Sequence, residues 1–354
     1  MQIQPSTKRP KGILTPGGLV LPGPRAGLKG FYRWQVRDAK GRVETPLDPR
    51  GRPIRYSGQW LPNLITDRGL NAVGTVYMWG TTYRGFLALG TGSAAPATTD
   101  ASLDSEVQRG ATTAASSDPV TILDAGANVF RSTHLRDVQV TMSADRNLTE
   151  FGLSHEGSVG VNIRELFRDE MGDPVTISLL SGKTLRLQHT LIIELPAPAS
   201  GTAGTFDIEE YDAANALVGT TEYAYTGGGT GSAFHVFGAW SPTNQHPDST
   251  VSTNSALAWR LTSGTYNRVT LVPGQGSSTG TAAVPQAYVG DSFERVKRYT
   301  IPTTTSQYLG TWNGIGFYGG ISGGMAFCFT SPTTFTKAVT HTFRVGIVSS
   351  WARA

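Results

Sequence analysis

Cysteine, acid and sustained helical pattern are what this chain has least of. The single cysteine, Cys328, excludes an intrachain disulfide, and its place in the apolar run Met325–Phe329 suits a small buried hydrophobe better than a reactive thiol. No acidic residue occurs among the first thirty positions. No window keeps apolar residues at i, i+3, i+4 and i+7 over three turns, which argues against a helical bundle. No apolar run reaches the roughly 18 residues of a membrane span, and nothing reads as a secretory leader. A soluble chain made in the cytosol, without membrane insertion, is therefore expected.

Glycine fills that space. Its 43 residues in 354 are about twice ordinary usage, and threonine and serine are abundant. Such a composition favours short strands joined by tight turns. The expected fold class is mainly β: two tandem, related antiparallel β-sandwich domains at 31–196 and 205–354, joined by a linker at 197–204 and preceded by an extended arm at 1–30. Phe31–Val36 alternates as a strand, and Asp38–Gly41 reads as a hairpin turn in which Gly41 takes a positive φ. Residues 108–127 read as a long loop, Val129–Met142 as one strand or two, Glu150–Leu153 and Asn162–Phe167 as strands, and Lys183–Leu195 as a long one.

The stretch from Trp60 to Val107 organises the rest. Its first part reads as a strand passing into one short helix, capped by Thr66 or Asp67 and ended by Gly74. An apolar strand, Phe86–Leu89, follows and stops at Gly90-Thr91-Gly92-Ser93. The order Asn63-Leu64-Ile65-Thr66, then Leu89-Gly90-Thr91-Gly92, then Leu148-Thr149-Glu150-Phe151-Gly152-Leu153, then Leu166-Phe167-Arg168-Asp169 resembles a module of tailed-bacteriophage tail and fibre proteins. A last piece runs from Leu185-Arg186-Leu187 to Pro196, so the resemblance covers about residues 60–196. It implies a structural virion protein, tail-associated as fibre, tip or attachment component, without enzymatic activity and working in the virion. A head-surface fibre or decoration protein and a host-glycan-binding adhesin are the alternatives.

Charge distribution suggests how such a protein attaches. Residues 1–60 hold twelve Lys and Arg against three acids, and the remainder holds eighteen against twenty-three. The proline- and glycine-rich first thirty residues cannot bury a core of their own. Lys8, Arg9, Lys11, Arg25 and Lys29, with Leu14, Leu19, Val20 and Leu21, are the candidate contacts to an acidic surface of another virion protein. The arm has no aromatic residue on which bases could stack, which speaks against nucleic acid. Tyr77, Trp79 and Tyr83 are the candidate surface-recognition residues, with a host-surface glycan as possible ligand. A homo-oligomer is expected.

Chemistry-bearing motifs lack their contexts. Gly320-Ile321-Ser322-Gly323-Gly324 has the spacing of a nucleophile elbow, but no acid follows Ser322 in the chain. Gly314–Gly319 has dinucleotide-loop spacing, yet aromatics and glycines follow it. The six histidines show no metal-ligand spacing, and His189 reads as a satisfied core residue. No catalytic residue, cofactor or metal is expected. Six ordered echoes between the halves, among them Phe206–Ala213 with Phe31–Ala39 and Val339–Phe343 with Leu187–Leu191, suggest an internal duplication. They also match Trp60 with Trp240 as core residues.

Overall fold

The structure is a computed structural model and describes residues 19–56, 58–76, 82–111, 120–124, 129–196, 202–211, 214, 216–228, 258–262, 284–285, 287–301, 310–319, 324–337 and 343–354. The chain is mainly β. In order the strands are β1 (Leu19–Arg37), β2 (Val43–Glu44), β3 (Leu61–Ile65), β4 (Phe86–Gly90), β5 (Glu106–Ala111), β6 (Val120–Asp124), β7 (Val129–Thr141), β8 (Arg146–Leu148), β9 (Glu150–Ser154) and β10 (Ile163–Leu166). They continue as β11 (Ile177–Leu179), β12 (Thr184–Pro196), β13 (Thr202–Tyr211), β14 (Leu217–Gly228), β15 (Ala258–Thr262), β16 (Val284–Pro285), β17 (Glu294–Ile301), β18 (Gly310–Gly319), β19 (Gly324–Lys337) and β20 (Phe343–Arg353). Helix α1 (Asp67–Val73) follows β3, and a 3-10 turn, Thr82–Arg84, precedes β4.

Strand β1 is the axis of a curled thirteen-stranded sheet. One edge pairs antiparallel with β12; the other is shared in turn by β20, which runs parallel, by β3 and by β2. Period-two alternation sends Ala26, Leu28, Tyr32, Trp34 and Val36 inward, facing the same side as Leu185, Leu187, Leu191 and Ile193 of β12 and Val138 and Val140 of β7. An aromatic group fills the centre. Trp34 stacks on Tyr56 at 4.3 Å, meets Phe167 edge-on at 5.7 Å, and donates Nε1–H to the Arg168 carbonyl. Tyr32 packs on Phe151 and donates its hydroxyl to the Leu166 carbonyl at 2.8 Å.

The sheet corrects the sequence reading in several places. It begins at Leu19, so the second part of the expected arm is built into β1, where Leu19, Val20 and Leu21 lie in register with Val345, Gly346 and Ile347. The irregularity between Pro22 and Arg25 accommodates two prolines that cannot donate to a ladder. The expected loop at 108–127 carries the end of β5 and all of β6. Trp60 is 38% exposed, with the Arg33 guanidinium 4.7 Å above its ring, rather than in the core. Trp240 lies outside the described residues. Strands β16, β17 and β20 from the second half join the first half's sheet, while β13, β14, β19, β18 and β15 form a separate one. The pair β17–β20 parallels β7–β12, but β13 pairs β14 and not β20 as β1 pairs β12. Among the described residues the halves therefore do not repeat one strand order.

Helix α1 explains how the chain end joins the core. Seven residues are too few for a helix to hold itself in water, and its last carbonyls have no partners within it. Thr66 caps the start, its Oγ1 accepting from Gly69 N and donating to the Val161 carbonyl. At the other end Trp351 donates Nε1–H to Leu70 O at 2.7 Å and Arg295 donates to Gly74 O at 2.5 Å. Gly74 is right-handed, so its missing side chain serves packing: a Cβ there would sit 2.6 Å from the Tyr288 ring. Trp351 is fully buried and stacks on Tyr288 at 5.8 Å. Trp351→Ala should lower unfolding free energy by about 3–5 kcal/mol, and Trp351→Phe by about 1 kcal/mol from the lost hydrogen bond. Urea unfolding of both variants checks this; equal losses would show that the bond to Leu70 is not separable from the packing.

Candidate functional site

Among the described residues, buried polar centres form around Glu150 and around Arg84, besides the Glu165–Arg168 pair, and the first gathers segments singled out in the sequence. Glu150 opens β9 on the strand face that carries it inside, and it is fully buried. A carboxylate there must find donors, since an unpaired buried charge costs several kcal/mol. Its Oε1 accepts the backbone N–H of Ser105 at 2.8 Å and of Gly92 at 3.1 Å; Oε2 accepts Asp104 N at 3.2 Å and Arg164 Nε at 3.0 Å. Arg164, from the neighbouring strand β10, continues outward to Asp100 Oδ2 at 2.5 Å and the Ala94 carbonyl at 3.0 Å. Asp100 is partly buried, which would raise its pKa, yet the Ala97 N–H and Arg164 outweigh this and hold the carboxyl below its usual range.

Backbone must come close for these bonds to form. A Cβ at Gly90 or Gly92 would stand 2.5 Å from Glu150 Oε1, so both positions need glycine for access rather than for an unusual φ. Thr149 Oγ1 donates to Gly92 O at 2.5 Å, closing the loop 91–105 over the carboxylate. Leu89-Gly90-Thr91-Gly92, Asp100, Thr149-Glu150 and the strand before Phe167 are thus four parts of one assembly.

The second centre lies under β7 and β12. Arg84 is fully buried on the 3-10 turn, and its Nη2 donates to His134 Nδ1 at 2.6 Å. Nη1 donates to His189 Nδ1 at 2.9 Å, to the His134 carbonyl at 3.1 Å and to the His189 carbonyl at 3.3 Å. A guanidinium can only donate, so both Nδ1 atoms accept, and His189 carries its proton on Nε2, where Asn63 Oδ1 lies at 3.1 Å. Gly30 makes room for Asn63: a Cβ there would lie 2.5 Å from its Nδ2. Burial, then Arg136, lowers Arg84 to about 9, still above neutrality. Burial, then Arg84 and His134, holds His189 well below its ordinary 6.5. With each Nδ1 lone pair engaged by Arg84, neither imidazole is free to act as a base, and the arrangement clamps the turn to the sheet.

The residues chosen from sequence fall only in part within the described residues. Lys8, Arg9, Lys11, Leu14, Tyr77 and Trp79 lie outside the described residues. Leu19, Val20 and Leu21 are in β1. Arg25 is exposed, while Lys29 bonds Glu194 Oε2 at 2.7 Å, an acid of its own chain that Arg131 also reaches. Tyr83 is not a surface residue: it is fully buried, its hydroxyl donates to Gly69 O at 3.1 Å, and burial pushes its pKa up. His189 is the core histidine the sequence suggested. Glu150, Arg164 and Arg84 were missed as site residues. Glu150 carried a signal, a lone acid among Leu148, Phe151 and Leu153; Arg84 carried none.

Glu150→Ala should cost about 3–5 kcal/mol, because it strands Arg164 in the interior; an unchanged urea midpoint would show the centre to be dispensable. For His189 the folded pKa is lowered, so the unfolded chain binds the extra proton and stability falls as pH drops below about 6.5, by up to about 1.4 kcal/mol per pH unit. His189→Gln keeps an acceptor for Arg84 and should flatten that slope between pH 7 and pH 5 in urea titrations; an equal slope in both proteins would contradict the assignment.

No family model, curated protein or solved structure matches the chain, so the reading of both centres rests on their own geometry.

Proposed function

We propose that the chain is a non-catalytic structural protein of a tailed-bacteriophage virion, associated with the tail as fibre, tip or attachment component. The observation that carries the reading is the assembly around Glu150. Two of the pieces that resemble tail and fibre proteins, Leu89–Gly92 and Leu148–Leu153, are remote in the chain and meet there: the Gly92 N–H donates to Glu150 and Thr149 donates to the Gly92 carbonyl. A shared set of framework positions is what a structural module would keep while its surface loops vary. The alternating strands support paired β layers as the architecture. Residues before Leu19, with Lys8, Arg9, Lys11 and Leu14, form the attaching arm, and its partner is an acidic surface of a neighbouring virion protein.

The test is to purify phage particles from an infected culture that encodes the chain with a short epitope tag and to label them with gold-conjugated antibody. Label on the tail, in particles that keep the tag through density banding, is the expected result. Particles that band without the protein would contradict the proposal, and label on the head would favour a decoration protein instead.

A further inference from the structure

The same five-residue turn occurs three times among the described residues, the first two on either side of β2 and Leu47 and the third bonded to Arg55 just after the second. Asp38–Arg42, Asp48–Arg52 and Asp169–Asp173 each begin with an aspartate whose Oδ1 accepts the N–H groups two and four residues on. Each closes with a bond from the first N–H to the fifth carbonyl. Each has glycine fourth, at φ 79°, 76° and 87°. In the first two the closing arginine also bonds the aspartate's Oδ2 at 2.7 Å.

The consequence lies in where the charge goes. Asp38 and Asp48 turn inward onto backbone N–H groups, which hold their pKa down, and their side chains are 14% and 18% exposed. Arg42 and Arg52 remain 74% and 68% exposed, with Lys40 and Arg50 also outside. Glu44, the remaining acid between Asp38 and Tyr56, is tied to Lys183 at 2.6 Å. The two turns therefore present a positive surface, with Val43 (61% exposed) and Leu47 between them. The third turn differs: it ends in Asp173, carries exposed Glu170 and Met171, and is joined to the segment after the second turn through Glu170 N donating to Arg55 O at 3.0 Å.

Patches of opposite sign side by side, each with exposed apolar residues, match themselves across a twofold axis. We propose that these turns form a self-association surface, on which the basic turns of one copy meet the acidic turn of a second copy, and the reverse. Val43 and Leu47 face Met171 of the second copy, giving the contact an apolar centre inside a charged rim. The rigid turns lose little freedom on docking. A nucleic acid would suit the basic turns alone and would be repelled by Glu170 and Asp173. The interface is independent of the virion reading.

Sedimentation of the full-length chain tests this. The wild type should dimerise at about 0.15 M salt and weaken as screening rises. Lys40→Glu with Arg50→Glu, and separately Glu170→Lys with Asp173→Lys, should each weaken the dimer by about tenfold or more. Mixing the two variants should restore a mixed dimer, which neither could form if it had unfolded. A monomeric wild type, a dimer indifferent to both pairs of changes, or failure of the mixture to associate would overturn the proposal. So would retention of a duplex oligonucleotide by the wild type with no dimer formed.

Discussion

A single buried carboxylate sets the shape of the first half of this protein. Glu150 is sealed from water, and its charge is tolerable only while Arg164 and three backbone N–H groups surround it. The three backbone donors come from the loop 91–105, which has no strand pairing of its own, so the acid beneath holds it together with the bonds from Asp67 N to Thr98 O and from Val161 N to Ala101 O. The glycines at 90 and 92 follow from the same requirement, because any side chain would occupy the space of the carboxylate.

From that centre the constraint passes to the rest of the fold through close backbone contacts. Strand β10, which carries Arg164, pairs with β3, and β3 leads into α1. Gly69 of α1 lies against the Asn162 backbone without room for a Cβ, and Thr66 N donates to Asn162 O at 3.0 Å. The helix then offers its carbonyls to Trp351 and Arg295, and Arg353 bonds Asp67 at 2.5 Å. A short helix that could not persist alone becomes the joint between the beginning and the end of the chain.

What was legible in the sequence follows from how local each signal is. The short helix with its caps, the strand from Phe86, the turn at Asp38 and the long strand ending at Pro196 are set by nearby residues, and each stands where the pattern put it. Residues 19–30 were misread because proline, glycine and lysine suggest an unpaired arm. Their pairing with β20 depends on residues more than three hundred positions away, and the bulge absorbs the prolines. Tyr83 and Trp60 exchanged their expected environments for a like reason, since neither position reveals which neighbour will cover it. The buried Arg84 left no trace, because its partners His134 and His189 are remote in sequence and ordinary in spacing.

The claim that Glu150 governs the covering loop is most directly tested by amide hydrogen exchange. The N–H groups of Gly92, Asp104 and Ser105 donate to its side chain, and Asp104 and Ser105 are otherwise at the surface. If the carboxylate holds the loop, these amides should exchange about as slowly as those paired in β9, through the same large opening. Exchange at the rate of an exposed loop, with β9 still protected, would show that the loop stands without Glu150 and would contradict the account.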